Sequence, residues 1–180
     1  MLGIRERRAE RKEERRGAEN VRYKMREKLV AIGDDFYIED AQGRKAFKVD
    51  GKALRMRNTL IFRDMQDQPL VQIQEKMLRV KDSMAIDDAN GHTIATVKKA
   101  MIAPLRQRFS VKIGDGPDLD VQGNILDHEY TIGEGRDKIA EVSKKWFRVR
   151  DTYGVEIEPG QNDVLILAVT AAIDQMASPE

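Results

Sequence analysis

From Met25 onward the apolar residues recur with a period of two, and turn residues interrupt them at short intervals. That is the pattern of successive β-hairpins. One unit is visibly repeated. Phe36 to Val49 contains Phe-Tyr-Ile-Glu-Asp, a turn at Gly43, and Ala-Phe-Lys-Val, and it is echoed by Leu60 to Ile73 and by Met84 to Val97. The three copies start 24 residues apart, each reading strand, Asp/Gly-type turn, strand. Tyr130 to Val142 is a weaker copy, and Val111 to Val121 forms a hairpin around Gly114-Asp115-Gly116-Pro117. About twelve strands are predicted in all. They lie near Lys24–Ala31, Asp35–Asp40, Arg44–Val49, Asn58–Arg63, Leu70–Glu75, Ser83–Asp87, His92–Lys98, Arg108–Ile113, Leu119–Gly123, Leu126–Gly133, Lys138–Lys144 and Asp151–Ile157.

The pattern changes at the C-terminus. Val164 to Ile173 is apolar on every helical face, with Thr170 its only polar side chain. Such a helix must be buried all round. At about 1.5 Å per residue it spans about 15 Å, too short for a bilayer, which needs about 20 apolar residues. Pro159-Gly160 ends the last strand, and Asn162 or Asp163 can cap the helix. A barrel of eight strands is filled by its own side chains, whereas about twelve leave room for a helix about 10 to 12 Å wide. The expected fold is therefore mainly β: a closed antiparallel barrel of about twelve strands enclosing a hydrophobic C-terminal α-helix. Val164, Leu165, Ile166, Leu167, Val169, Ile173 and Met176 should pack its interior.

Composition narrows the picture. The 180 residues are 41% hydrophobic, enough for one domain with a substantial core. Lys and Arg number 32 against 31 Asp and Glu, so any attraction to a polyanion must be local. Cysteine is absent, which rules out disulfides, thiolate catalysis, palmitoylation and cysteine-ligated zinc. No signal-peptide h-region is present, and Leu2 stands where myristoylation requires glycine. A soluble, cytoplasmic protein without a transmembrane segment is expected, with peripheral membrane attachment if the basic motifs below bind lipid. Residues 1–22 read as a charged tail, frayed or disordered, and 23–180 as the barrel domain. Met1 to Asn20 carries seven basic and five acidic residues, a local excess of only two.

Candidate chemistry is sparse. His128 lies between Asp127 and Glu129, which alternation on a strand would place on the opposite face. A metal site there would need tertiary assembly, and a polar hairpin-end residue is the simpler reading. Asp115, Asp118 and Asp120 do not have EF-hand spacing, and no nucleophile elbow, phosphate loop or dinucleotide fingerprint occurs. No cofactor is expected, and nothing argues for an enzyme.

A second repeat offers more. Lys52-Ala-Leu-Arg55-Met-Arg57, Lys76-Met-Leu-Arg79-Val-Lys81 and Lys145-Trp-Phe-Arg148-Val-Arg150 share one form: basic, two apolar, basic, apolar, basic. Pro104 to Arg108 is a partial copy. In extended chain the last two cations of each copy, Arg55 and Arg57, Arg79 and Lys81, Arg148 and Arg150, share a face and suit phosphate or carboxylate. The competing reading is charge decoration of a barrel wall, since Asp82 and Asp151 directly follow two of the copies. Trp146 and Phe147 interleave with the third; core packing of one and interfacial insertion of the other are the options. Nucleic acid is disfavoured by balanced charge and 6% aromatic content.

The residues also resemble a known family. Met25 to Asp40, Phe47 to Arg55, Asp127 to Tyr130, Val142 to Val155 and the apolar C-terminal helix are similar to the LURP-one-related family in a bacterial form, over roughly Tyr23 to Met176. That family is related to tubby C-terminal domains and phospholipid scramblases, which implies a twelve-stranded barrel around a central hydrophobic helix. Tubby domains bind phosphoinositides, so an anionic-lipid module is the analogy. No tubby lipid motif is matched residue by residue, the scramblase cysteine cluster is missing, and a shared fold does not transfer activity. The resulting expectation is a non-enzymatic module that binds an anionic ligand, foremost a phospholipid headgroup at a membrane surface. The alternative is a protein-interaction or scaffold domain whose charges only solubilise it.

Overall fold

The structure is a computed structural model that describes residues 18–27, 35–51, 59–75, 83–103 and 106–177. Its period-two segments form twelve strands. They are β1 (Val21–Arg26), β2 (Phe36–Asp40), β3 (Lys45–Asp50), β4 (Thr59–Arg63), β5 (Pro69–Glu75), β6 (Ser83–Asp88), β7 (Thr93–Ala103), β8 (Arg106–Ile113), β9 (Leu119–Asn124), β10 (Glu129–Glu134), β11 (Asp137–Ser143) and β12 (Thr152–Ile157). Each pairs antiparallel with its neighbour in sequence, and the meander closes where β1 meets β12, from Val21 opposite Ile157 to Arg26 opposite Thr152. The first strand thus starts at Val21 and ends at Arg26, earlier than the expected Lys24–Ala31, because β12 offers six partners in that register. Val21 and Arg22 accordingly stand in the barrel wall, and residues 1–17 of the expected tail lie outside the described residues.

Alternate residues point inward. Met25, Ile38, Val49, Leu60, Phe62, Ile73, Ile86, Val97, Phe109, Val111, Ile132, Val142, Tyr153, Val155 and Ile157 are fully buried. They surround α1 (Asp163–Ala177), which packs most closely on β5 to β8 and β12. Every residue from Ile166 to Asp174 is buried; Val164, Leu165 and Met176, nearer the helix ends, are only partly so. Asn162 caps the helix, its Oδ1 accepting the Leu165 N–H at 3.1 Å, while the Thr170 hydroxyl donates to the Ile166 carbonyl at 2.9 Å. Asp163 accepts a 2.7 Å hydrogen bond from Tyr23, whose hydroxyl is thereby made harder to ionise, burial being the larger cause.

The three copies of the 24-residue unit share one turn chemistry. Asp40, Asp64 and Asp88 each accept the backbone N–H groups two and four residues on through one carboxylate oxygen, all at 2.9 Å. The residue three places after each aspartate, Gly43, Asp67 or Gly91, has φ of 78°, 66° or 83°. That left-handed conformation is free of cost for glycine and tolerable for aspartate. A bulge precedes each turn, between Ile38 and Glu39, Phe62 and Arg63, and Ile86 and Asp87. The Asp88 carboxyl is held below the usual carboxylate range chiefly by the His92 N–H, with the Asn90 N–H helping.

Connectivity divides the barrel into two rims. The connections after β2, β4, β6, β8, β10 and β12 lie at the rim where α1 starts; those after β1, β3, β5, β7, β9 and β11 lie at the rim where it ends. Lys99 marks the latter, donating to the Met176 carbonyl at 2.8 Å.

Two outcomes follow from this packing. Removing α1 by truncation after Pro159, or placing a charge in the filled interior with Leu167→Lys, is expected to abolish cooperative melting. The four large apolar side chains buried in the middle of α1, Ile166, Leu167, Val169 and Ile173, contribute about 1.5 to 3 kcal/mol each. A cooperative thermal transition from the truncated chain would contradict the enclosure. Because the folded state holds Asp88 ionised, its contribution is present above about pH 4 and is lost as pH falls below that. Asp88→Asn, which keeps an acceptor but no charge, should show a shallower fall of melting temperature with acidification than the parent.

Candidate functional site

In sequence, the three basic repeats fall in segments that join strand ends at the helix-end rim. The connections there, read between strand ends, contain eleven Lys and Arg against six Asp and Glu; those of the helix-start rim contain two against five. Seven of those eleven basic residues lie outside the described residues; the described ones are Lys144, Lys145, Arg148 and Arg150, all between β11 and β12.

Of the six cations predicted to bind an anion, Arg55 and Arg57 belong to the segment joining β3 to β4, and Arg79 and Lys81 to that joining β5 to β6. All four lie outside the described residues. Arg148 and Arg150 are described and fall between the strands, where the predicted strand bounds also left them, in a loop rather than the extended chain assumed for their shared face. The stretch from Lys144 to Asp151 is a looped connection between β11 and β12. The cause is local. Trp146 and Phe147 fold back onto the outer wall at Gly154, so closely that a Cβ there would stand 2.6 Å from Trp146 Cε3 and 3.0 Å from Phe147 Cε2. The Arg22 guanidinium, hydrogen-bonded to Glu156 at 2.6 Å, covers the Trp146 ring at 4.4 Å. Neither aromatic enters the core and neither stands free; both are half-buried anchors of the loop.

Anchoring leaves the two arginines in solvent. Lys144 pairs with Glu27 at 2.6 Å and Lys145 lies 3.7 Å from Glu129. The Arg150 side chain is 95% exposed, with only Asp151 at 4.0 Å, and exposed Arg148 forms no ion pair among the described residues. Arg108, in the partial copy, is exposed 3.8 Å from Asp120. Exposed, weakly paired guanidinium groups are available for bidentate contact with phosphate or carboxylate.

Beneath this rim lies a buried polar cluster that sequence reasoning missed. His128 ends the β9–β10 turn in the left-handed region, φ 53°, and this turns its ring into the barrel rather than along a strand face. Its Nε2 lies 2.7 Å from Asp174 Oδ1, and its ring stacks on Tyr153 at 4.5 Å. Burial, reinforced by the Asp174 charge, pushes the Tyr130 and Tyr153 hydroxyls to higher pKa. The Thr170 hydroxyl, which donates to Ile166, also lies beside that of Tyr130 and opposes the rise there, while Tyr153 Oη and His128 Nδ1 have no hydrogen-bond partner among the described residues. Opposite Tyr130, Gly123 has φ 133°, and a Cβ there would meet the Glu129 carbonyl oxygen at 2.6 Å; only glycine lets β9 approach β10 at this level. The cluster fastens the rim to the end of α1. The only sequence signal for it was Asp174 following the apolar run.

Comparison with known proteins accords with the architecture. A sequence model of the LURP-one-related family matches residues 21–174. The uncharacterized protein YxjI of Bacillus subtilis is 24% identical over 152 residues, covering 84% of this chain and 91% of that protein. A solved structure of an Arabidopsis thaliana protein superposes with a TM-score of 0.67 at 18% identity, covering 89% of this chain and 93% of that one; it shares the fold.

His128→Ala would leave a buried carboxylate without its imidazole, a loss expected to cost about 3 kcal/mol in denaturant unfolding. Removing the carboxylate as well, in His128→Ala/Asp174→Ala, should recover part of that loss. A double variant whose loss equals or exceeds the sum of the two single losses would refute the coupling.

Proposed function

The chain belongs to the LURP-one-related family, and on that fold we propose that it is a non-enzymatic module which docks on anionic phospholipid headgroups through its helix-end rim. The observation carrying the proposal is the uneven charge, in sequence, of the segments between strand ends: eleven basic against six acidic for those joining strands at the helix-end rim, and two against five for the others. A planar anionic surface can meet one end of a barrel with several connections at once. Each basic residue brought near such a surface contributes about 1 kcal/mol, so several together give useful affinity where one does not. Arg148 and Arg150 support the reading from their own geometry, since an anion can reach them without breaking a strong ion pair. Among the described residues no helix is long and apolar enough to cross a membrane, and in this proposal attachment is made at the surface by the rim.

Liposome co-sedimentation tests it. The protein should pellet with vesicles containing phosphatidylserine, pellet poorly with pure phosphatidylcholine, and release as salt rises and the Debye length falls from about 10 Å toward 3 Å. Arg148→Glu/Arg150→Glu should weaken the anionic-vesicle affinity at least tenfold, on the order of the contribution expected of two cations. Equal binding to neutral vesicles, or an unaltered affinity in the charge-reversed variant, would overturn the proposal.

A further inference from the structure

Among the described residues, two large apolar side chains stand exposed at the helix-end rim. Leu126 is 50% exposed in the β9–β10 turn, and Val149 is 54% exposed between Arg148 and Arg150. Both are presented by ordered backbone. In the turn, Asn124 Nδ2 donates to the Asp127 carboxylate at 2.6 Å and the His128 N–H to the Ile125 carbonyl at 3.2 Å, so that Ile125 is turned inward and Leu126 outward. In the neighbouring connection the Val149 carbonyl accepts the Thr152 hydroxyl at 2.6 Å, and Glu27 N–H donates to the Asp151 carbonyl at 2.9 Å. Glu129 ties the two connections together, accepting from the Ser143 hydroxyl at 2.9 Å and the Lys144 N–H at 3.2 Å. Apolar tips held on a braced frame meet a partner with little loss of conformational freedom.

We propose that Leu126 and Val149 are bilayer-inserting tips, entering the acyl boundary of an anionic membrane while Arg148 and Arg150 hold headgroup phosphates above them. This rests on the anion-binding reading of the rim and adds depth to it. Charge selects the occupant. The helix-start rim also exposes apolar residues, Val21 at 40% and Met65 at 43%, but its connections are acidic, and an anionic surface repels that end. At the helix-end rim, exposed Val149 stands between the exposed Arg148 and Arg150, the pairing of apolar and cationic side chains that an interfacial membrane contact uses. Asp127 beside Leu126 is bonded back to Asn124 within the turn.

The chain contains no cysteine, so single-cysteine variants can be labelled without further change. Leu126→Cys and Val149→Cys, with Met65→Cys as the opposite-rim control, would carry an environment-sensitive fluorophore. They would be mixed with phosphatidylcholine/phosphatidylserine vesicles containing doxyl-labelled lipid. The inference expects a blue shift and quenching at positions 126 and 149 and neither at 65. It also expects Leu126→Asp/Val149→Asp to lower vesicle affinity about tenfold or more, and to remove the binding that survives high salt. Co-sedimentation without quenching at 126 and 149 would overturn insertion and leave the electrostatic reading intact. Competition of all binding by soluble glycerophosphoserine would likewise overturn it, placing recognition in the headgroup alone. Absence of co-sedimentation with anionic vesicles would overturn both.

Discussion

A twelve-stranded barrel is too wide for its own inward side chains to meet across the axis, and the molecule depends on how that space is filled. The filler is a helix whose middle nine residues are buried on every side. Neither part is stable alone: the helix is apolar all round, and the wall without it encloses a void lined by residues such as Phe62, Phe109 and Ile73. Closure of β1 on β12 completes the arrangement by leaving no strand edge to pair with other chains.

Around that common core the two rims have diverged in chemistry. Where the helix starts, three of the turns are self-sufficient: an aspartate oxygen satisfies two N–H groups, and a residue of positive φ closes the loop. Such turns set hairpin register and offer little for a ligand to use. Where the helix ends, the connections after β1, β3, β5 and β11 are seven to nine residues long, and cations and apolar residues alternate in three of them. In the proposed reading the strands supply a rigid scaffold and the longer connections at one end meet the membrane.

Local patterns were legible and tertiary partners were not. The 24-residue spacing of Asp40, Asp64 and Asp88 announced three identical hairpins, and the run from Val164 to Ile173 announced an enclosed helix, because both are properties of consecutive residues. Strand ends shifted where pairing rather than propensity decides them, as at Val21, which is held by Ile157. The basic repeat was recognised, but its paired cations were put on one face by assuming extended chain, whereas Arg148 and Arg150 stand in a loop. The bare surface of Gly154 that receives Trp146 and Phe147 depends on how β12 is oriented, which spacing alone does not reveal. His128 illustrates the limit best. Its sequence neighbours Asp127 and Glu129 look like its partners, yet a left-handed backbone turns it toward Asp174, 46 residues away.

Closure of the meander has a further meaning for synthesis. The partner of the first strand is the last one, and the interior is filled only by the residues that follow it. At about 5 to 20 residues per second, translation takes roughly 10 to 40 seconds, and for nearly all of it the nascent barrel is an open sheet with two unpaired edges and an unfilled concave face. Hairpins can form as they emerge, but no earlier fragment can complete the domain. The domain can therefore close only after its last strand and helix have left the ribosome. Until then a holdase would find the apolar concave surface exposed, and a stalled ribosome would present a chain primed to pair with its neighbours along the polysome.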